Sequence, residues 1–249
     1  MKKTLIFSDV HLKVSPQDKP RHQEFVAFLQ QFSPEEYDRI ICLGDLFDFW
    51  FEYKHVIFSG YFEVLRTFAD LRDKGIELHL ICGNHDFWGG RFLHDDLQFH
   101  IHHGIAEIPF GALRGHLVHG DGINPADWRY RGYKRVARHP FVVGAFRLLH
   151  PDWAMKLAQG VSHGSRTFLG HDDPANGPEA RSLSAYAQAV LAQGQADVVM
   201  CGHAHAPVRQ EYPTPGGAGL YINTGDWLGH RSHVVWDGAG FELVITHSS

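Results

Sequence analysis

The 249-residue sequence holds only three cysteines and three methionines. None of its apolar runs approaches the roughly 18 residues that a membrane-spanning helix needs. Cys42, Cys82 and Cys201 each end an apolar run just before a Gly-led polar motif. Three thiols cannot pair fully and their spacing is not that of a zinc ribbon, so a disulfide scaffold is excluded and a reducing compartment is expected. The basic start, Met1-Lys2-Lys3, leads into an apolar run that stops at Phe7 and is followed by Asp9 and His11. That is too short for a secretory leader, and a cytoplasmic location is expected. A basic excess is also missing. The net charge is -5, which argues against nucleic acid as a partner. There is no internal repeat and no low-complexity tract.

What is present is a globular composition, 44% hydrophobic, with 20 histidines. So many imidazoles suggest either surface decoration or a metal-rich site, and position must decide. The most informative stretch is Cys82-Gly83-Asn84-His85-Asp86, directly after the apolar run Ile76 to Ile81. A buried strand that ends in Gly and releases Asn, His and Asp presents those side chains at a sheet rim, where open α/β sheets bind ligands. The chain repeats the arrangement. Thr4–Phe7 reads as a strand ending in Asp9-Val10-His11, and Arg39–Leu43 as one ending in Gly44-Asp45-Leu46-Phe47-Asp48. Gly115–Val118 leads to His119-Gly120-Asp121, and Asp197–Cys201 to Gly202-His203-Ala204-His205. Helical spacing links Phe25, Phe28, Leu29 and Phe32, and again Tyr61, Leu65 and Phe68. Ile105–Phe110 and Gly115–Val118 read as a hairpin around Gly111–Arg114. From about Asn124 to Gln195 no strand pattern appears, with breaks at Pro140, Pro151, Gly160 and Pro174–Pro178. After Gly202 the pattern is short strands: Pro207–Tyr212, Tyr221–Thr224, His233–Trp236 and Glu242–Thr246, with turns at Pro213–Gly219 and Asp237-Gly238. The expected fold is an α/β sandwich of two mixed sheets in one domain spanning residues 1–249, with a helical lid insertion at 124–195.

Each polar strand end alone could be a cap or a surface group. Together they assemble Asp, His and Asn donors with no thiolate, a set suited to Mn, Fe or Zn. In extended chain, residues two apart point the same way, so Asp9 with His11, and His203 with His205, can reach one centre. Seven donors exceed the needs of one ion. Two ions sharing Asp45 is the economical reading. Such a pair, about 3.5–4 Å apart, activates a bridging hydroxide and clamps the oxygens of an in-line phosphoryl displacement.

In this order the five blocks resemble the calcineurin-like metallophosphoesterases, over all of the chain except the insertion. The resemblance implies that Asp9, His11, Asp45 and His205 hold one metal, and that Asp45, Asn84, His119 and His203 hold the other. His85 resembles the transition-state or leaving-group acid of that family, oriented by Asp48. Within the family, the length, the block Gly44–Trp50 and the closing Asn223-Thr224-Gly225-Asp226-Trp227 are similar to the UDP-2,3-diacylglucosamine diphosphatases of lipid A synthesis. These cleave an acylated nucleotide-sugar to UMP and the sugar 1-phosphate, typically with Mn. They usually carry Arg where this chain has His85. The resemblance implies a phosphorylated, acylated substrate and peripheral contact with the cytoplasmic face of the inner membrane.

Within the insertion, Trp128 to Arg138 is basic and aromatic, and Phe141 to Leu149 is apolar. One reading is a lid whose cations hold phosphate and whose apolar face holds acyl chains. The other is a helical hairpin that packs its apolar face on the sandwich. By resemblance of segment, Asp127, Arg131, Ser162 and Arg166 are candidate substrate contacts. The aromatics Phe49, Trp50, Phe51, Phe87 and Trp88 either rim the cleft or belong to the core. His102, His103, His116, His163 and His171 have no ligand partner in the pattern. Two rival functions remain: a metallophosphoesterase for another phosphodiester, nucleotide or phosphoprotein, and a non-catalytic scaffold, which would be expected to have lost ligands.

Overall fold

The computed structural model of the protein describes residues 2–124, 126, 128–157 and 177–246. Two sheets form the centre. The first has six strands, β1 (Lys3–Phe7), β2 (Tyr37–Cys42), β3 (Glu77–Ile81), β4 (Phe99–His102), β10 (Ser232–Trp236) and β11 (Phe241–Ile245), in the order β11-β10-β1-β2-β3-β4. The second has five, β5 (Ala106–Phe110), β6 (Leu113–Val118), β7 (Val198–Cys201), β8 (Val208–Thr214) and β9 (Gly217–Asn223), in the order β5-β6-β7-β9-β8. Both sheets are mixed. β1, β2, β3 and β4 run parallel, as do β6, β7 and β9, while β5, β8, β10 and β11 pair antiparallel.

Side chains alternate between two apolar environments. Leu5, Phe7, Ile40, Cys42, Leu78 and Leu80 point outward, onto α1 (Lys19–Leu29) and α2 (Phe62–Asp73), where Phe25, Phe28, Leu65 and Phe68 meet them. Ile6, Ile41, Leu43 and Ile81 point inward, against Ile108, Phe110, Leu117, Val198, Met200 and Ile222 of the second sheet. Burial on both faces explains why these strands read as continuous apolar runs. The outer face of the second sheet is covered by α5 (Pro178–Ala192), whose Leu183, Ala187, Val190 and Leu191 pack on Val199, Cys201 and Tyr221. The result is an α-β-β-α sandwich.

The helices between residues 124 and 195 divide in two. α5 lies inside the stretch expected as a lid, yet its buried face makes it a layer of the sandwich. α3 (Trp128–Ala137), α4 (Pro140–Arg147) and a helical stretch at 151–157 stand apart from it. Pro140 and Pro178 each open their helices, where a missing N–H costs nothing. Val143 and Phe146 of α4 pack on an apolar cluster of Phe49, Phe51, Trp88 and Met155. Trp50 instead sits in the first core, stacked on Phe47. Phe141, Leu148 and Trp153 remain exposed on the far side, at 78%, 88% and 68%.

Two elements escape the sequence pattern. β4 adds a fourth parallel strand, and a π-helical turn at Phe92–Asp96 leads into it. The hairpin between β5 and β6 is also tighter than expected, because Leu113 and Arg114 already belong to β6.

Candidate metal centre

The loops that follow β1, β2, β3, β6, β7 and β9 leave the carboxyl ends of parallel strands in both sheets. They therefore meet at one end of the sandwich. Main-chain bonds stitch them together: Asp9 N–H to Gly44 O at 3.0 Å, His11 N–H to Asp45 O at 2.9 Å, Gly202 N–H to His119 O at 2.9 Å and Trp227 N–H to Asp9 O at 3.1 Å. Among the described residues, seven non-glycine positions have positive φ, and five of them are Asp9, His11, Asp45, His203 and His205. Each such backbone costs on the order of 1 kcal/mol or more and persists only where its surroundings enforce it. Two glycines allow the close approach. A Cβ on Gly83 would collide with Asp45 Oδ1, and one on Gly202 would stand 2.6 Å from Asp9 Oδ2.

The donor atoms face one another across gaps too long for hydrogen bonds. Asp45 Oδ2 lies 3.4 Å from His119 Nε2, 3.7 Å from His11 Nε2 and 3.9 Å from His85 Nε2. Asp9 Oδ1 lies 3.4 Å from His205 Nε2 and 3.7 Å from His11 Nε2. Atoms about 2.1 Å from a shared ion are separated by roughly 3–4 Å across it. Three overlapping groups have this spacing: Asp9–His11–His205, Asp9–Asp45–His119 and His11–Asp48–His85. Asp45 Oδ2 is near enough to three imidazoles to be the shared ligand.

The hydrogen-bond accounting fits a metal. Asp9 Oδ1, both ring nitrogens of His11, Asn84 Oδ1 and His119 Nε2 are buried without a hydrogen-bond partner. Such orphans are expensive unless something else satisfies them. In Asp9 and His119 the companion atom is used. Asp9 Oδ2 accepts from Ser8 Oγ and, at 2.9 Å, from His203 N–H. His119 Nδ1 donates to Leu43 O at 2.7 Å. A carbonyl oxygen only accepts, so Nδ1 carries the proton and the Nε2 lone pair faces a carboxylate. A second proton on Nε2, or a metal cation between the two groups, resolves that contact.

The electrostatics point the same way. Burial opposes ionisation of Asp45, but His119 and His85 outweigh it and hold the carboxyl well below its usual range. Burial likewise opposes ionisation of Asp9, but His205 and His11 bring it down to about 2. Burial works against a charged His119 too, and Asp45 overrides it, raising the imidazole well above its ordinary value. The two carboxylates therefore stay ionised despite burial, as metal-ligating oxygens must be.

Of the other expected residues, His203 stacks edge-on to His119 at 5.1 Å, with its Nε2 3.9 Å from Glu179. His85 is oriented by Asp48, but through the Asp48 main-chain carbonyl, which accepts from Nδ1 at 2.6 Å. The Asp48 carboxylate stands 3.9 Å from His11 Nδ1. Asp127, Ser162 and Arg166 lie outside the described residues. Arg131 is exposed on α3, its Cγ beside Gly122. Much of the basic stretch turns inward: Lys134 and Arg138 pair with Asp121, and Tyr130 Oη donates to it at 2.8 Å. Arg138 also lies over the Phe87 ring, 3.3 Å from its centroid.

The sequence pattern assigned no role to Asp226 or Glu179. Asp226 Oδ2 is 3.3 Å from His205 Nδ1, and its Oδ1 accepts from the main-chain N–H groups of Leu228, Gly229 and His230. Glu179 lies in the first turn of α5 and accepts from Asn124 Nδ2 at 2.9 Å. The Asn223–Trp227 block was visible as a strand-end motif; Glu179 carries no sequence signal beyond its place in a helix's first turn.

The family model for calcineurin-like phosphoesterases matches residues 2–207. The chain belongs to this family. It is a metal-dependent phosphoesterase, and its substrate is phosphorylated. Curated relatives match nearly end to end. A UDP-2,3-diacylglucosamine hydrolase of Porphyromonas gingivalis is 31% identical, with 95% of this chain and 94% of the relative covered. Proteins of the same name from Histophilus somni and Nitrosococcus oceani are 25% and 26% identical, covering 98% and 96% of this chain and 100% and 93% of theirs. No described helix is long and apolar enough to cross a membrane.

Proposed function

We propose that this phosphoesterase hydrolyses the pyrophosphate of UDP-2,3-diacylglucosamine, giving UMP and the acylated sugar 1-phosphate, on two divalent ions, with Mn the preferred metal. The observation that carries the reading is the full-length likeness to hydrolases of that name, on a chain that groups Asp9, His11, Asp45, His119 and His205 at metal-ligand spacing. Asp9, His11, Asp45 and His205 would hold one ion, and Asp45, Asn84, His119 and His203 the other. Bound ions supply positive charge to the phosphate oxygens and lower the pKa of water.

The chain's own residues do the rest. Asp45 holds the two halves of the centre in register. His85 has Nδ1–H fixed on the Asp48 carbonyl, so Nε2 is the atom that gives or takes a proton, and it faces the centre 3.9 Å from Asp45 Oδ2. The aromatic cluster of Phe49, Phe51 and Trp88 under α4 directly follows the Asp48 and His85 loops. It supports an acylated substrate, with the helices from 128 to 157 as the lid. Their exposed Phe141, Leu148 and Trp153, flanked by Arg135, Arg147 and Lys156, support peripheral contact with an anionic membrane surface on its cytoplasmic side.

The test is UMP release with Mn from the acylated substrate, beside unacylated UDP-GlcNAc and a generic phosphodiester. Preference for the acylated compound is expected. Equal or faster cleavage of the other two would overturn the substrate.

A further inference from the structure

Five histidines were left without a role by the sequence pattern, and one of them, His102, belongs to a cluster that the sequence could not show. Glu77 and His79 lie two apart on β3, and His100 and His102 two apart on β4. The strands are parallel neighbours with His79 directly opposite His100, so all four side chains share one face. Glu77 Oε1 lies 3.2 Å from His79 Nε2 and 3.3 Å from His100 Nε2. His79 Nδ1 is 3.2 Å from His102 Nε2. The His79 ring stacks between those of His100 and His102, at 4.8 Å and 5.5 Å.

We propose that Glu77, His79 and His100 form a second, peripheral site for an imidazole-preferring divalent ion such as Ni, Zn or Cu, with His102 orienting His79 from behind. His79 is only 7% exposed, and its Nε2 is buried without a hydrogen-bond partner although Glu77 Oε1 lies 3.2 Å away. That is the arrangement of a histidine whose far nitrogen is held by a neighbour while the near one faces a ligand. The carboxylate is close to both imidazoles, but the three donors do not yet converge on one point. Closing them onto an ion takes rotation of Glu77 and His100, which are 49% and 58% exposed and so free to turn. An open groove of about 450 Å³ lined by Glu77, His100, His94 and Arg72 lies beside them. Arg39 of β2 stands opposite Glu77 on the same face and donates to Pro109 O at 3.2 Å, with its guanidinium over the Phe110 ring. Two nitrogens and one oxygen favour metals late in the first transition row over Mg or Ca. The site lies at the opposite end of β3 from Asn84, so it does not share the catalytic ions.

The experiment uses the Mn-loaded protein and Ni²⁺ as probe. Calorimetric titration should find one additional ion per chain in the wild type, lost in His100→Ala and in Glu77→Gln, while phosphoesterase activity is unchanged in both. Anomalous diffraction at the Ni edge should place that ion between Glu77, His79 and His100. Equal Ni²⁺ uptake by wild type and His100→Ala, or anomalous density only at the catalytic centre, would overturn the proposal.

Discussion

Oδ2 of Asp226 lies 3.3 Å from Nδ1 of His205, which leaves the opposite ring nitrogen facing Asp9. Three main-chain N–H groups hold the other Asp226 oxygen, so the carboxylate is fixed before the imidazole meets it. Burial opposes a charged His205, yet Asp9 and Asp226 together raise its pKa above the ordinary value. Partners of this kind typically contribute about 10–100-fold in metal affinity. Asp226→Asn should weaken Mn binding by that factor, measured by calorimetry, and saturating Mn should restore most of the turnover.

Asp45→Ala and Asn84→Ala test the ligand set. Asp45 faces three imidazoles, so its loss should uncouple both halves of the centre, lower the bound Mn measured by elemental analysis and cut kcat/KM by roughly a thousandfold or more. Asn84→Ala should weaken one ion and spare the other. Near-wild-type rates in either variant would contradict the two-ion reading.

His85 should separate chemistry from metal binding. His85→Gln is expected to retain its Mn and lose about 10²–10⁴ in kcat, the usual worth of a positioned acid. His85→Arg installs the residue that the lipid A diphosphatases usually carry. If UMP release from the acylated substrate survives while generic phosphodiesterase activity falls, the position sets substrate choice.

Buried histidines away from the centre make stability depend on pH. Burial among Phe28 and Phe32 lowers His233 to about 4. Unfolded His titrates near 6.5. Between those values the unfolded chain binds a proton that the folded chain refuses, so this stabilisation is complete above pH 6.5 and is lost as pH falls toward 4. The slope inside the window approaches ~1.4 kcal/mol per pH unit. Asp86 works against it, since burial and Asp45 raise it to about 6, so that the folded state gains a proton first. The difference between wild type and His233→Phe isolates the histidine: denaturant melts of metal-free protein should diverge below pH 6.5 and converge above it.

The strand-end motifs were legible because the chemistry sits at the carboxyl ends of parallel strands, and each such end is marked by an apolar run breaking into Gly and polar residues. The layered fold was legible for the same reason. β4 was not, because the run Phe99–His102 alternates aromatic or aliphatic residues with histidine at a sheet edge and offers no continuous apolar signal. The role of α5 was hidden because helical spacing says which face is buried and not which sheet buries it. Asp226 was invisible as a partner of His205, since 21 residues and a β-hairpin separate them. The left-handed backbone at Asp9, His11, Asp45, His203 and His205 could not be read from residue type, because none of them is glycine.

The most direct test of the two-ion centre is Mn titration of metal-stripped protein, with UMP release from UDP-2,3-diacylglucosamine and bound Mn measured on the same samples. The account predicts negligible turnover without metal and a rate that reaches its plateau only as the second equivalent binds. Full turnover with one ion per chain, or turnover that persists in excess chelator, would contradict it.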